Sequence, residues 1–282
     1  MGQTAGSTVL ITGASSGIGK VTALLLAERG YVVFGTSRSE DRLTGLRSEA
    51  ERRGVEVKGV VLDINDEAAV DAAMPRMLDD AGGAFDVLVN NAGYGLWGPV
   101  QSLSMDELRA QFETNFFAAV KLISCVLPSM IERRKGTIVN VSSVLGRIGT
   151  PFNGAYSASK FALEGMSEAL RVELKPFGVH VALVEPGLFD TGFIDNMTRS
   201  QGSADPDSPY QPYMDRYRNR HRRFEFRAAD PMKVARTIHK IVRSGRPALR
   251  HPVGMDARAG TLGARLMPER LYQAMLTRAT LG

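Results

Sequence analysis

Residues 8–19 read TVLITGASSGIG: a run of β-favouring residues, a turn with glycine at 13, 17 and 19, and the opening of a helix. A strand that feeds a helix through a glycine-rich turn is half of a βαβ unit. The glycines allow a tight bend and let the backbone approach a pyrophosphate. Free N–H groups near Gly17, with the positive end of the helix dipole, then face that anion. Such a turn can be purely structural, but the strand before it and the helix after it favour nucleotide binding.

The same alternation runs outward along the chain. Ser7–Thr12, Tyr31–Thr36, Val55–Leu62, Val87–Asn90, Thr137–Ser142 and Val179–Val184 read as strands, nearly continuous apolar runs of the kind buried on both faces of a sheet. Helical patterns lie between them near residues 17–29, 40–53, 66–80, 104–133 and 154–177. This predicts an α/β fold: a Rossmann-like doubly wound parallel sheet of about seven strands, helices on both faces, as a single domain over 1–282. Residues 188–229 depart from the pattern, with Pro206, Pro209, Pro212 and the polar run GSADPDS predicting an irregular, mobile insertion. It directly follows the sixth strand, where ligands bind in open α/β sheets, so it is expected to be a substrate-binding lid. Asp230-Pro231 open a helix, Pro247–Pro252 supply a last short strand, and residues 256–279 predict one amphipathic C-terminal helix.

With 44% hydrophobic and 23% charged residues in 282, the composition is that of an ordinary globular chain. No apolar run approaches the ~20 residues of a membrane span, and the polar N-terminus has no secretory character. One cysteine, Cys125, excludes an internal disulfide, and a cytoplasmic location is the default expectation. His180, His221, His239 and His251 lack metal-ligand spacing, so no metal is expected. The net charge of +5 is uneven, with sixteen Lys/Arg against four Asp/Glu from Arg216 onward. A solvated helix face is the plain reading and weak peripheral membrane contact the other; no nucleic-acid motif accompanies the charge.

The second strand ends Gly35-Thr36-Ser37-Arg38, with no acid placed to hold a ribose 2′-OH. Arg38 instead offers a guanidinium to a 2′-phosphate, and Ser15 or Ser16 a hydroxyl. Asp63, after the third strand, could accept from an adenine amino group or cap a helix. Asn90-Asn91-Ala92-Gly93 suits a turn passing close to a ligand. Tyr156 and Lys160 stand one helical turn apart on a shared face. An ammonium there, with the positive ring of an oxidised nicotinamide, is expected to lower the phenol by about three units from its usual value near 10. Ser143 ends the fifth strand thirteen residues before Tyr156, so its hydroxyl can return beside the phenol and hold a substrate oxygen.

In order and spacing these residues resemble the short-chain dehydrogenase/reductase family: TGASSGIG, NNAG, Asn115, Ser143, the YSASK run from Tyr156 to Lys160, Pro186-Gly187 and Thr191. The resemblance implies an NADP(H)-dependent oxidoreductase that interconverts a carbonyl and an alcohol. It makes Tyr156 the general acid/base, Lys160 the residue that positions the nicotinamide ribose, Ser143 the one that orients the carbonyl, and Asn115 the support of a water-linked proton relay. It implies cofactor contacts from Gly13, Ser15, Ser16, Gly17, Ile18, Gly19, Arg38, Asp63, Asn90, Ala92, Gly93, Tyr156, Lys160, Pro186, Gly187 and Thr191. Ser37-Arg38 and the HPVGMDAR segment are most similar to the 17β-hydroxysteroid dehydrogenase type 1 and retinol dehydrogenase-like subset. That similarity implies an apolar substrate, such as a steroid, retinoid or other lipid ketone or aldehyde. The family also implies a homodimer or homotetramer built on the helices that carry Asn115 and Tyr156. The alternative is a catalytically silent NADPH-binding sensor or scaffold of the same fold.

Overall fold

In the first strand Val9 and Ile11 project to one face and Leu10 to the other, and all three are fully buried. The computed structural model describes residues 2–281 apart from Asp195, Phe226 and Arg227, and without the side chains of residues 220–225 and 279–280. In chain order its strands are β1 (Thr8–Ile11), β2 (Val32–Ser37), β3 (Val57–Val61), β4 (Val87–Asn90), β5 (Leu96–Trp97), β6 (Gly136–Val141), β7 (Val179–Pro186), β8 (Thr198–Arg199) and β9 (Arg250–Val253). Seven form one parallel sheet in the order β3-β2-β1-β4-β6-β7-β9, and β5 pairs with β8 outside it.

The helices are α1 (Gly17–Glu28), α2 (Glu40–Arg52), α3 (Glu67–Asp80), α4 (Met105–Phe112), α5 (Ala118–Glu132), α6 (Gly154–Glu173), α7 (Gln211–Glu225), α8 (Met232–Arg243), α9 (Met255–Leu266) and α10 (Glu269–Thr280). Helices α1, α2 and α8 cover one face of the sheet over Val9, Val33, Val89 and Val184. Helices α3, α5 and α6 cover the other over Leu10, Phe34, Leu88 and Ile138. Each such fully buried aliphatic side chain contributes about 1.5–3 kcal/mol of transfer free energy. Two-sided burial is thus what the unbroken apolar strands encode. The strand order reverses between β1 and β4, which opens a crevice at their carboxyl ends.

Helices α4 and α5 join through a π turn at Glu113–Phe117 into one rod, Met105–Glu132, long and apolar enough by composition to cross a membrane. Its Leu122, Ile123, Val126 and Met130 are buried in the core beside Leu88 and Ile138, so the sheet accounts for that hydropathy. The rod starts at a capping box, Ser104 to Glu107, as the sequence pattern S-x-x-E requires.

Two expectations change. Residues 188–229 are not irregular throughout: they hold β8, a short turn at Gln201–Ala204 and the four-turn α7. Met214 and Tyr217 pack with Trp97 and Phe152, and the Asn153 amide donates to the Tyr217 hydroxyl at 3.0 Å. Two apolar anchors in a very polar helix escape a periodicity search. The C-terminal region is two helices rather than one, because Pro268 forces Met267 into an extended conformation and ends α9 at Leu266.

Candidate active site

The turn after β1 is clamped on both sides. The Thr12 hydroxyl accepts from the N–H groups of Asn91 (3.0 Å) and Ala92 (2.9 Å), and the Asn91 amide donates to the carbonyls of Thr12 (2.9 Å) and Gly13 (3.2 Å). Ala14 N–H donates to the carbonyl of Thr36 at 2.9 Å. Gly13 and Gly17 sit at φ +64° and +52°, and a Cβ on Gly13 would stand 3.0 Å from Ala92. Only glycine fits this backbone. Helix α1 then begins with Ser16 at its N-cap, whose side chain makes no cap hydrogen bond, and with no acid in its first turn. Donors unsatisfied by side chains beside a close-packed glycine turn match a dinucleotide pyrophosphate. Ser15 is half-buried and Ser16 exposed at this lip; Ile18 packs against the core, and Gly19 lies where a Cβ would overlap the Gly13 carbonyl.

Arg38 lies one residue beyond β2, exposed, with no carboxylate paired to it among the described residues. Asp63 is exposed beyond β3 and accepts from Asn65 N–H at 3.1 Å; the cap of α3 is Asp66, so Asp63 is not a helix cap. The Asn90 side chain is engaged behind the crevice. Its amide is buried and donates to Asn140 (2.9 Å) and the Ala119 carbonyl (3.4 Å), tying β4 to β6 and α5 behind the crevice. Asn91, the next residue of the same turn, braces the glycine-rich turn through its amide.

At the other end of the crevice, β6 delivers Ser143, whose hydroxyl accepts from Leu145 N–H at 3.1 Å and caps a single helical turn. The chain folds back so that α6 starts at Gly154 and presents Tyr156 and Lys160 on one buried face. The Lys160 ammonium donates to the Val141 carbonyl at 2.9 Å and lies 5.9 Å from the centre of the Tyr156 ring. Asn115 sits in the π turn, a distortion frequent at functional sites. Its amide accepts from Tyr94 N–H (3.1 Å) and donates to the Tyr94 carbonyl (3.0 Å) and to Ser159 (3.1 Å). Gly93 lies between these groups: a Cβ there would stand 3.0 Å from the Asn115 amide oxygen and 3.5 Å from the Lys160 nitrogen. Ser143, Asn115, Tyr156 and Lys160 are therefore brought together as expected.

Burial sets the ionisation of Tyr156 and Lys160. Burial pushes the Tyr156 phenol up to about 12, with the Ser143 hydroxyl acting in the opposite direction. Burial also pulls Lys160 down to about 8, against the pull of Glu164. The lowering of Tyr156 expected from the sequence drew on the positive nicotinamide ring as well as Lys160; among the protein's own groups burial dominates.

Behind Lys160, one turn along α6, lies a cluster that sequence reading missed. Arg250 bridges Glu164 (3.0 Å) and Glu185 (3.2 Å), and Arg147 reaches Glu185 at 3.3 Å. Burial, then the nearby Glu185, raises Glu164 to about 7. The spacing of Glu164, four residues after Lys160, was the available signal. After β7, Pro186 is buried, Gly187 N–H donates to the Val253 carbonyl at 3.0 Å, and Asp256 accepts from Leu188 N–H at 2.6 Å. Thr191 packs over Gly17, where a Cβ would stand 3.2 Å away, so this segment crosses the crevice. Phe193 then covers Tyr156 with ring centres 5.5 Å apart, while Phe189 joins the core and Trp97 anchors α7. The side chain of His221, a weak lid candidate from sequence, lies outside the described residues.

Residues 7–202 match the family described as short chain dehydrogenase. The chain belongs to this family. It is 39% identical over 246 residues to the 3-ketodihydrosphingosine reductase of Bacteroides thetaiotaomicron, covering 87% of each chain. It is 41% identical over 253 residues to retinol dehydrogenase 8 of Bos taurus, covering 86% of this chain and 80% of that one. Among solved structures it resembles a short-chain dehydrogenase/reductase from Burkholderia phymatum in complex with NAD (TM-score 0.81, 26% identity, 97% of both chains). It also resembles a metagenomic short-chain oxidoreductase in complex with NADP (TM-score 0.69, 27% identity, 89% of this chain and 96% of that one). Family membership makes this short-chain dehydrogenase a nicotinamide-dinucleotide-dependent oxidoreductase acting between CH–OH and C=O groups. The neighbours bind both NAD and NADP.

Proposed function

We propose that this protein is an NADP(H)-dependent reductase of an apolar ketone or aldehyde, or the corresponding alcohol dehydrogenase. One observation carries the reading: Ser143, Tyr156 and Lys160 converge on one buried face beside a turn shaped for a pyrophosphate. When bound, the nicotinamide supplies or accepts the hydride. Tyr156, neutral at physiological pH with a pKa near 12, donates its phenolic proton to the carbonyl oxygen as it is reduced. Ser143 holds that oxygen, and the Lys160 ammonium stabilises the phenolate left behind. Asn115 is a positioning residue: it fixes the Tyr94 backbone and, through Ser159, the turn of α6 between Tyr156 and Lys160.

Gly13, Ser15, Ser16, Gly17, Ile18 and Gly19 would cradle the phosphates, and Ala92, Gly93, Pro186, Gly187 and Thr191 would line the path of the dinucleotide. Arg38, unpaired by any carboxylate among the described residues, supports NADP(H) over NAD(H) through the 2′-phosphate. Phe193 over Tyr156, and relatives named for a sphingoid ketone and for retinol, support an apolar substrate. Exposed Phe117, Phe161 and Val172 along the α5 and α6 rods support a homo-oligomer through those helices. The test is turnover of a panel of apolar ketones, aldehydes and alcohols, followed by nicotinamide absorbance with NADPH and NADH. Tight NADPH binding with no turnover across the panel would replace this reading with that of a silent cofactor-binding protein.

A further inference from the structure

Helix α9 is amphipathic in the inverted sense. Its small residues face the protein: Ala257 is buried, and a Cβ on Gly260 would stand 3.4 Å from Val144 and 3.5 Å from Ile148, in the loop that follows Ser143. Its large apolar residues face outward, with Met255, Leu262 and Leu266 exposed by 88%, 56% and 69%. Their spacing of seven and then four residues puts all three on one narrow stripe, opposite Ala257. On α10, Leu271 and Met275 extend the apolar surface at i, i+4, exposed by 60% and 49%, while Tyr272 and Leu276 turn inward.

The hairpin is fixed to the body of the protein. At its start Asp256 accepts from Leu188 N–H, and at its end the Leu281 carbonyl accepts from Arg216 at 2.6 Å while its side chain meets the Trp97 cluster. Five large apolar side chains on an anchored surface mark an interaction site rather than a frayed tail. Arg258, Arg265, Arg270 and Arg278 belong to the same two helices, against Asp256 and Glu269, and Asp256 is already engaged with Leu188.

We propose that the α9–α10 hairpin docks on an anionic lipid bilayer. An apolar stripe flanked by arginines matches the acyl–headgroup boundary of such a surface. A second copy of the chain fits less well, because a two-fold contact would bring these arginines against their own equivalents. Docking would place the loops after Ser143 and after Pro186, both touched by α9, beside the bilayer. Lipid binding does not depend on which substrate is turned over, so it is tested separately from the reaction.

The full chain is sedimented with phosphatidylcholine vesicles, with and without a minority of phosphatidylglycerol. Binding is expected with the anionic vesicles, weakening as salt is raised. The double variant Leu262→Ser/Leu266→Ser should partition about tenfold more weakly, and so should Arg258→Glu/Arg265→Glu. Both pairs are exposed, so melting temperature and activity on a water-soluble ketone should be unchanged. Equal sedimentation with and without anionic vesicles overturns the proposal. If vesicles are not bound and Leu262→Ser/Leu266→Ser converts an oligomer to a smaller species by light scattering, the face belongs to a second copy.

Discussion

On the proposed NADP(H) reading, Arg38 at the end of β2 tells a 2′-phosphate from a 2′-hydroxyl, and Arg38→Ala removes that discrimination. A charge-assisted hydrogen bond contributes about 1.5–3 kcal/mol. Arg38 is exposed, so screening pulls its contribution to the lower end, about 1.5–2 kcal/mol. At 1.4 kcal/mol per tenfold, Arg38→Ala should raise the KM for NADPH by roughly 10–30-fold. The KM for NADH should stay nearly constant, because a ribose hydroxyl offers the guanidinium no charge to neutralise. The assay is steady-state kinetics with each cofactor against one saturating ketone, at low and at moderate ionic strength. The NADPH effect should shrink as salt rises, and Arg38→Asp should invert the preference. An equal change for both cofactors, or none for NADPH, would refute the assignment of Arg38 to the 2′-phosphate.

Three further outcomes follow from the same geometry. Asn115→Ala leaves the half-buried Tyr94 N–H without its acceptor, while the Tyr94 carbonyl keeps the Gln111 amide, so stability should fall by about 1–3 kcal/mol, or roughly 2–8 °C in Tm by calorimetry. A Cβ on Gly187 would overlap the Asp256 carboxylate, so Gly187→Ala should displace the segment that crosses the crevice and lower kcat/KM by up to about 100-fold; unchanged kinetics would show that this segment does not position the reactants. Glu164 is raised from 4.5 to about 7, so the native state binds more protons than the unfolded chain between those values, and stability falls as pH rises through that window. Urea midpoints taken near pH 5 and near pH 7.5 should therefore differ less for Glu164→Gln than for the wild type; an identical drop would place the titrating group elsewhere.

The sheet was legible because its inner strands β1, β2, β4, β6 and β7 are buried on both faces and so mostly apolar, while the edge strands β3 and β9 carry polar residues and are less buried. Ser143, Tyr156 and Lys160 stood out because each occupies a fixed place relative to a strand end or a helical turn, whereas Asn115 came only from the resemblance to the family. The packing of residues 188–229 was not: Met214 and Tyr217 gain their meaning only from Trp97 and Phe152, more than sixty residues away in sequence. The direction of the Asn90 amide was also hidden, since a strand-end residue can face the crevice or the helix behind it, and Asn140 on the adjacent strand decides. The burial of Tyr156 and Lys160 was also hidden, because spacing shows that an ammonium is near the phenol but not how far both lie from water.

The most direct test of the account is Tyr156→Phe, assayed for ketone reduction with NADPH and, in parallel, for NADPH affinity by fluorescence titration. Losing the phenolic proton should lower kcat by about 10²–10⁴-fold. NADPH should bind as in the wild type, because the substitution keeps the ring that packs on Phe193 and leaves Lys160 in place. A variant that reduces ketone at the wild-type rate would contradict the assignment of Tyr156 as the proton donor.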